Sequence, residues 1–129
     1  MKDYSILSLA FIGDAYYNLA VKQYAVDKEV KPDNLQKVAA RYCSAKFQAN
    51  AIRKMIEENF LSEEEVSLYK RGRNAKSHGA PKNTDILTYK SSTGFEAVWG
   101  YHFLNHNEER LAQLWEKVRT FEDDEYGTI

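Results

Sequence analysis

Hydrophobic positions recur at three- and four-residue intervals along nearly the whole chain, the rhythm of helices that each bury one face. Ile6, Leu9, Gly13, Tyr17, Ala20 and Tyr24 form the first stripe and predict a helix over about residues 3–26. Pro32-Asp33-Asn34 breaks the chain and opens a second helix with Leu35, Val38 and Tyr42 on one face. Ser44 is placed to cap a third, carrying Phe47, Ala51, Met55 and Ile56. Ser62-Glu63-Glu64-Glu65 matches a capping box, in which the Ser hydroxyl and the Glu three residues on satisfy free amides, and its helix runs to about residue 74. Residues 76–90, with Gly79, Pro81 and Asn83, read as an ordered loop. Ser91 or Ser92 then starts a helix bearing Glu96, and Glu108 or Glu109 starts a last one through Leu111, Leu114, Trp115, Val118 and Phe121. No strand alternation, repeat or low-complexity linker interrupts this pattern. The expectation is an all-α fold, with residues 1–129 as one domain and 122–129 as a frayed acidic tail.

Two carboxylates sit badly in that pattern. Asp14 lies in Leu9-Ala10-Phe11-Ile12-Gly13-Asp14-Ala15, with Ala10, Phe11, Tyr17 and Asn18 as helical neighbours and no cation one turn away. Glu96 is flanked at helical spacing by Thr93, Trp99, Gly100 and Phe103. Ionised groups in apolar surroundings are costly unless neutralised. A shared hard cation is one solution, and a neighbouring helix end or Lys is another. Gly13 and Gly100 tilt the balance. Each costs its helix about 1 kcal/mol relative to Ala, which suggests that close approach of a helix or ligand is needed there.

Charge adds a second feature. The formal net charge is −1, yet residues 70–90 hold six Lys or Arg and one acid. Cations at a helix end suit its dipole, which accounts for Lys70 and Arg71. They do not account for a loop that stays basic to Lys82, with Asn, Ser and Thr interspersed. Such a set suits phosphate and ribose oxygens, so Arg71, Arg73, Asn74, Lys76 and Lys82 are the candidate contacts to a polyanion. Cys43 is alone, which excludes an internal disulfide and a cysteine zinc cage. His102 and His106 have a zinc-compatible spacing but lack the accompanying ligands, so packing or surface roles are expected. The tyrosines at 16, 17, 24, 42 and 101 fit helix packing. No apolar run spans a membrane and no signal-peptide pattern opens the chain, making a cytoplasmic protein with no membrane partner the expectation.

Leu9 to Asp14 resembles the signature helix of ribonuclease III catalytic domains, and Thr93-Gly94-Phe95-Glu96-Ala97 resembles their second acidic motif. Lys70-Arg71-Gly72-Arg73-Asn74-Ala75-Lys76-Ser77 and Pro81-Lys82-Asn83-Thr84-Asp85 resemble the Mini-ribonuclease III branch, over nearly the whole chain. The resemblance implies the all-α ribonuclease III catalytic fold in a symmetric homodimer, with Phe11 as an aromatic knob in the partner subunit; an intramolecular core position for Phe11 stays open. It implies Mg²⁺-dependent hydrolysis of double-stranded RNA, with Mn²⁺ as a substitute, leaving a 5′-phosphate and a 3′-hydroxyl. Asp14 and Glu96 are then the catalytic and metal-binding residues. Precursor large-subunit (23S) ribosomal RNA is the implied substrate, and a ribosomal protein a candidate partner. Two further acidic positions of the larger enzymes are Ala10 and Thr93 here. That departure motivates a rival reading, a non-catalytic ribonuclease III-fold module that docks RNA. An all-α protein-interaction domain, with no RNA affinity or metal dependence, is a second.

Overall fold

A computed structural model describes residues 3–76 and 80–126, with side chains described as far as Phe121. Six helices follow in order: α1 (Ile6–Asp27), α2 (Pro32–Cys43), α3 (Ala45–Glu57), α4 (Glu63–Asn74), α5 (Ile86–Leu104) and α6 (Glu108–Tyr126). No strand occurs among the described residues. Helix α5 is central, packed by α1, α3, α4 and α6, while α2 lies against α1, α3 and α6. An aromatic core fills the space between them. Tyr17 meets Phe95 edge-on at 5.0 Å and Trp99 at 5.2 Å, and its hydroxyl donates to the Tyr42 carbonyl at 2.8 Å. Tyr42 in turn packs on Phe47 and Trp115 at 5.3 Å.

Polar side chains set the helix starts. Ser5 accepts from the Ser8 N–H, Ser44 from the Phe47 N–H, and Ser62 and Glu65 form the expected reciprocal box. The expected start of the fifth helix is corrected. Helix α5 begins at Ile86 rather than Ser91 or Ser92, because the Asp85 carboxylate accepts from the Leu87 and Thr88 N–H groups. The apolar stripe is silent about this extra turn because Ile86 and Leu87 are exposed. The loop expected over 76–90 is therefore shorter; its Ser77 and Gly79 lie outside the described residues. The backbone of α6 extends to Tyr126, into the stretch expected to fray, while residues 127–129 lie outside the described ones.

Helix α1 is apolar on two sides. Leu9, Ala10, Gly13, Tyr17, Val21 and Ala25 face the core, a register slightly rotated from the expected stripe. Leu7, Phe11, Leu19 and Val26 lie exposed, with Phe11 at 81%. A core position for Phe11 within this chain is thereby excluded. Helices apolar all round are ordinarily covered on both faces.

The capping residue Glu65 also anchors a buried polar network. Its carboxylate accepts from Arg110 Nε at 2.8 Å and Nη2 at 2.7 Å. His102 Nε2 lies 2.7 Å from the same group, and Asn107 Nδ2 lies 3.0 Å from His102 Nδ1. With Nε2 donating to Glu65 and Nδ1 accepting from Asn107, the His102 ring satisfies both contacts. Burial pushes the Glu65 carboxyl up, but the hydrogen bonds from Arg110, His102 and the Ser62 N–H outweigh it and hold the group well below the usual carboxylate range. This network ties α4, α5 and α6 together. The histidine spacing is thus structural: His102 is buried in α5, while His106 follows the helix in the left-handed region at φ 58°.

Candidate active site

Helices α1 and α5 touch backbone to backbone. A Cβ on Gly13 would lie 1.8 Å from the Glu96 carbonyl oxygen and 2.7 Å from the Gly100 nitrogen. One on Gly100 would lie 1.8 Å from the Leu9 carbonyl oxygen. Two facing glycines thus permit an approach that any side chain would block. The residue after Gly13 is Asp14, and Gly100 lies one turn from Glu96, so this contact brings the two carboxylates to one place.

Their environments differ. Asp14 is exposed, a correction to its expected burial, because it sits one step round α1 from the row that faces the core. Asn18 Nδ2 donates to its Oδ1 at 2.8 Å and to its backbone carbonyl at 2.7 Å. Glu96 is partly buried. Burial, and next a hydrogen bond and charge repulsion from Asp14, push its carboxyl up to about 9; the nearby Gln48 amide works in the opposite direction. Two carboxylates so placed resist carrying both negative charges at once. Such a pair is short of positive charge, and its oxygen donors are of the hard type that Mg²⁺ prefers. Ala10 packs into the core and the Thr93 hydroxyl donates back to the Tyr89 carbonyl at 3.1 Å, so neither extends the acidic set. Among the described residues, no group of three or more His, Cys, Asp or Glu is arranged to hold a metal. The chain thus offers a two-carboxylate site, within the one or two that Mg²⁺ commonly uses.

A second glycine contact carries the basic segment to the same helix. A Cβ on Gly72 would lie 2.8 Å from the Gly94 Cα, and one on Gly94 would lie 2.5 Å from the Tyr69 carbonyl oxygen. Arg71 and Arg73 flank Gly72, and Gly94 is two residues before Glu96. Arg71, Asn74, Lys76 and Lys82 are exposed. Arg73 is more constrained: its guanidinium lies 5.4 Å from the Tyr69 ring centroid and its Nε donates to Asn74 Oδ1 at 3.2 Å. Cys43, near the acids, has its thiol pushed up to about 12 by burial and then by Asp14, which makes it a poor nucleophile.

Sequence reasoning missed Gln48. Its side chain is 1% exposed beside Glu96, and among the described residues its Nε2 completes no hydrogen bond. The signal that could have found it is a polar residue at a core register of α3, among Phe47, Ala51, Ile52 and Met55.

Comparison with known proteins gives one family. The ribonuclease III domain matches residues 7–107. Mini-ribonuclease 3 of Streptococcus pneumoniae is 48% identical over 84% of this chain and 85% of the relative. Those of Enterococcus faecalis and Staphylococcus aureus are 45% and 44% identical, each over 88% of this chain and over 89% and 86% of the relative. A crystal structure of a Fusobacterium nucleatum protein superposes with a TM-score of 0.81 at 31% identity, covering 92% of this chain and 95% of the other. The chain belongs to the ribonuclease III domain family, among its Mini-ribonuclease 3 members.

Proposed function

We propose that Asp14 and Glu96 form the hydrolytic site of an endoribonuclease acting on double-stranded RNA, and that they hold Mg²⁺ or Mn²⁺. The observation that carries this reading is the Gly13–Gly100 contact. It sacrifices helix stability to bring two carboxylates together in a protein whose relatives are named ribonucleases. The ion supplies acidification of water and neutralisation of charge on phosphate oxygens. The chain supplies the rest: Asn18 orients the Asp14 carboxylate, and Arg71, Arg73, Asn74, Lys76 and Lys82 grip the duplex. A-form RNA hides its base edges, so recognition rests on phosphates, shape and 2′-hydroxyls.

Exposed Phe11 supports a symmetric homodimer in which α1 covers the α1 of a second copy, with the apolar stripe from Leu7 to Val26 repeated across the two-fold axis. This arrangement offers one site per RNA strand. Precursor 23S ribosomal RNA is the proposed substrate and a ribosomal protein a proposed partner. The proposed location is the cytoplasm; no described helix is long and apolar enough to cross a membrane. Incubation of a long RNA duplex with the protein tests the reading. Cleavage in Mg²⁺ or Mn²⁺ that stops on chelation is expected. Tight duplex binding without cleavage in either metal would select the non-catalytic module instead.

A further inference from the structure

We propose that Gln48 is a positioning residue of the acidic site, its buried side-chain amide donating a hydrogen bond to Glu96 when the two carboxylates hold a divalent cation. This rests on reading Asp14 and Glu96 as a cation-binding pair.

The amide is a costly feature as it stands. Gln48 is 1% exposed on α3, surrounded in register by Phe47, Ala51, Ile52 and Met55; its amide is near enough to Glu96 to lower that carboxyl, yet among the described residues its Nε2 completes no hydrogen bond. Buried donors without partners are rare, and a Met of similar volume would avoid the desolvation cost. The carboxylate of Glu96, from the neighbouring α5, is the ionisable group beside it, and that carboxylate is hydrogen-bonded towards Asp14. With a cation held between the two acids, the Glu96 oxygen turned away from it would take a donor from the protein side. The Gln48 Nε2 is placed to provide it. Carboxylate ligands are generally held in this way by a second group behind them. An amide suits this role because it fixes the carboxylate without cancelling its charge, whereas a Lys would compete with the ion and a Glu would repel its neighbour.

Mn²⁺ binding to RNA-free protein, counted by electron paramagnetic resonance, tests the proposal together with thermal unfolding in chelator. Gln48→Met is expected to bind Mn²⁺ about tenfold more weakly or worse. Its melting temperature in chelator should equal or exceed that of the parent, because an idle buried amide has gone. A merely structural Gln48 would give the opposite pair, a lower melting temperature with Mn²⁺ affinity retained, and that result would overturn the proposal. A measurement on the parent protein covers poor folding of the variant. The Gln48 side-chain amide proton signals should shift downfield and exchange more slowly as Mg²⁺ is added, and should not respond in Asp14→Asn. Signals indifferent to Mg²⁺ would refute the hydrogen bond. Asp14→Asn and Glu96→Gln separate the acidic pair from the amide behind it. If they leave Mn²⁺ binding unchanged, the acidic-pair reading fails and the role of Gln48 fails with it. If they weaken binding and Gln48→Met does not, the role of Gln48 alone fails.

Discussion

Replacing Gly13 by Ala adds one methyl group where two helix backbones already touch. The new Cβ would stand 1.8 Å from the Glu96 carbonyl oxygen, and backbone cannot rotate out of the way as a flexible side chain can. Restoring an ordinary contact of ~3.5 Å requires α1 and α5 to separate by about 1.7 Å. Helix propensity favours Ala by about 1 kcal/mol. Overpacking costs about 1–3 kcal/mol and more when backbone must move, so a net loss of about 2 kcal/mol is expected. For a chain of this size that lowers the melting temperature by roughly 8 °C. The effect on catalysis should be larger in proportion, since Asp14 follows Gly13 directly and a misplacement of about 1 Å can cost about a hundredfold in rate. Gly100→Ala should behave alike. The double variant should lose less than the sum of the two, because one separation of the helices relieves both clashes. Thermal unfolding and duplex cleavage measured on all three variants test this. A Gly13→Ala protein more stable than its parent, with cleavage unchanged, would show that the helices do not touch and that the glycines do not place the acids.

Three other outcomes follow from different parts of the molecule. Arg110→Met leaves the buried Glu65 short of its principal cation and should cost about 3–5 kcal/mol. Because the folded-state pKa of Glu65 is depressed, its contribution is complete above the unfolded value near ~4.3 and is lost as pH falls below it; the acid unfolding midpoint of the variant, followed by circular dichroism, should therefore move to higher pH. Phe11→Ala should weaken self-association in sedimentation at low concentration without lowering monomer stability, and an unchanged dimer would place the interface elsewhere. Arg73→Ala and Lys82→Ala, measured in an Asp14→Asn background, should each reduce the log-affinity against log-salt slope for duplex RNA by about one unit or less, and identical slopes would remove the segment from the RNA surface.

What the sequence made legible was what local chemistry decides. The Ser44 cap, the Ser62–Glu65 box and the Pro32 start each need only a few neighbouring residues, and all three stand in the structure as expected. The start of α5 was hidden because its first turn carries exposed apolar residues that mark no core-facing stripe. The ends of α3 and α5 were hidden too: Asn59 and His106 adopt the left-handed conformation just past them, a place where glycine is the usual signal. At the site, the glycines beside Asp14 and Glu96 pointed to a close approach, but not to each other. Their pairing depends on which helix crosses which, and so does the meeting of Glu65 with Arg110 across 45 residues. Gln48 was overlooked because a buried glutamine reads as an ordinary polar position until the partner of its amide is sought.

Metal-dependent cleavage of duplex RNA by two carboxylates, brought together by a glycine contact, can be put to a single comparison. The parent protein, Asp14→Asn and Glu96→Gln are each mixed with one long RNA duplex, with binding read by gel shift in chelator and cleavage read after Mg²⁺ is added. All three should bind the duplex with similar affinity, and only the parent should cleave it. Cleavage at the parent rate by either variant would show that the hydrolytic site lies elsewhere.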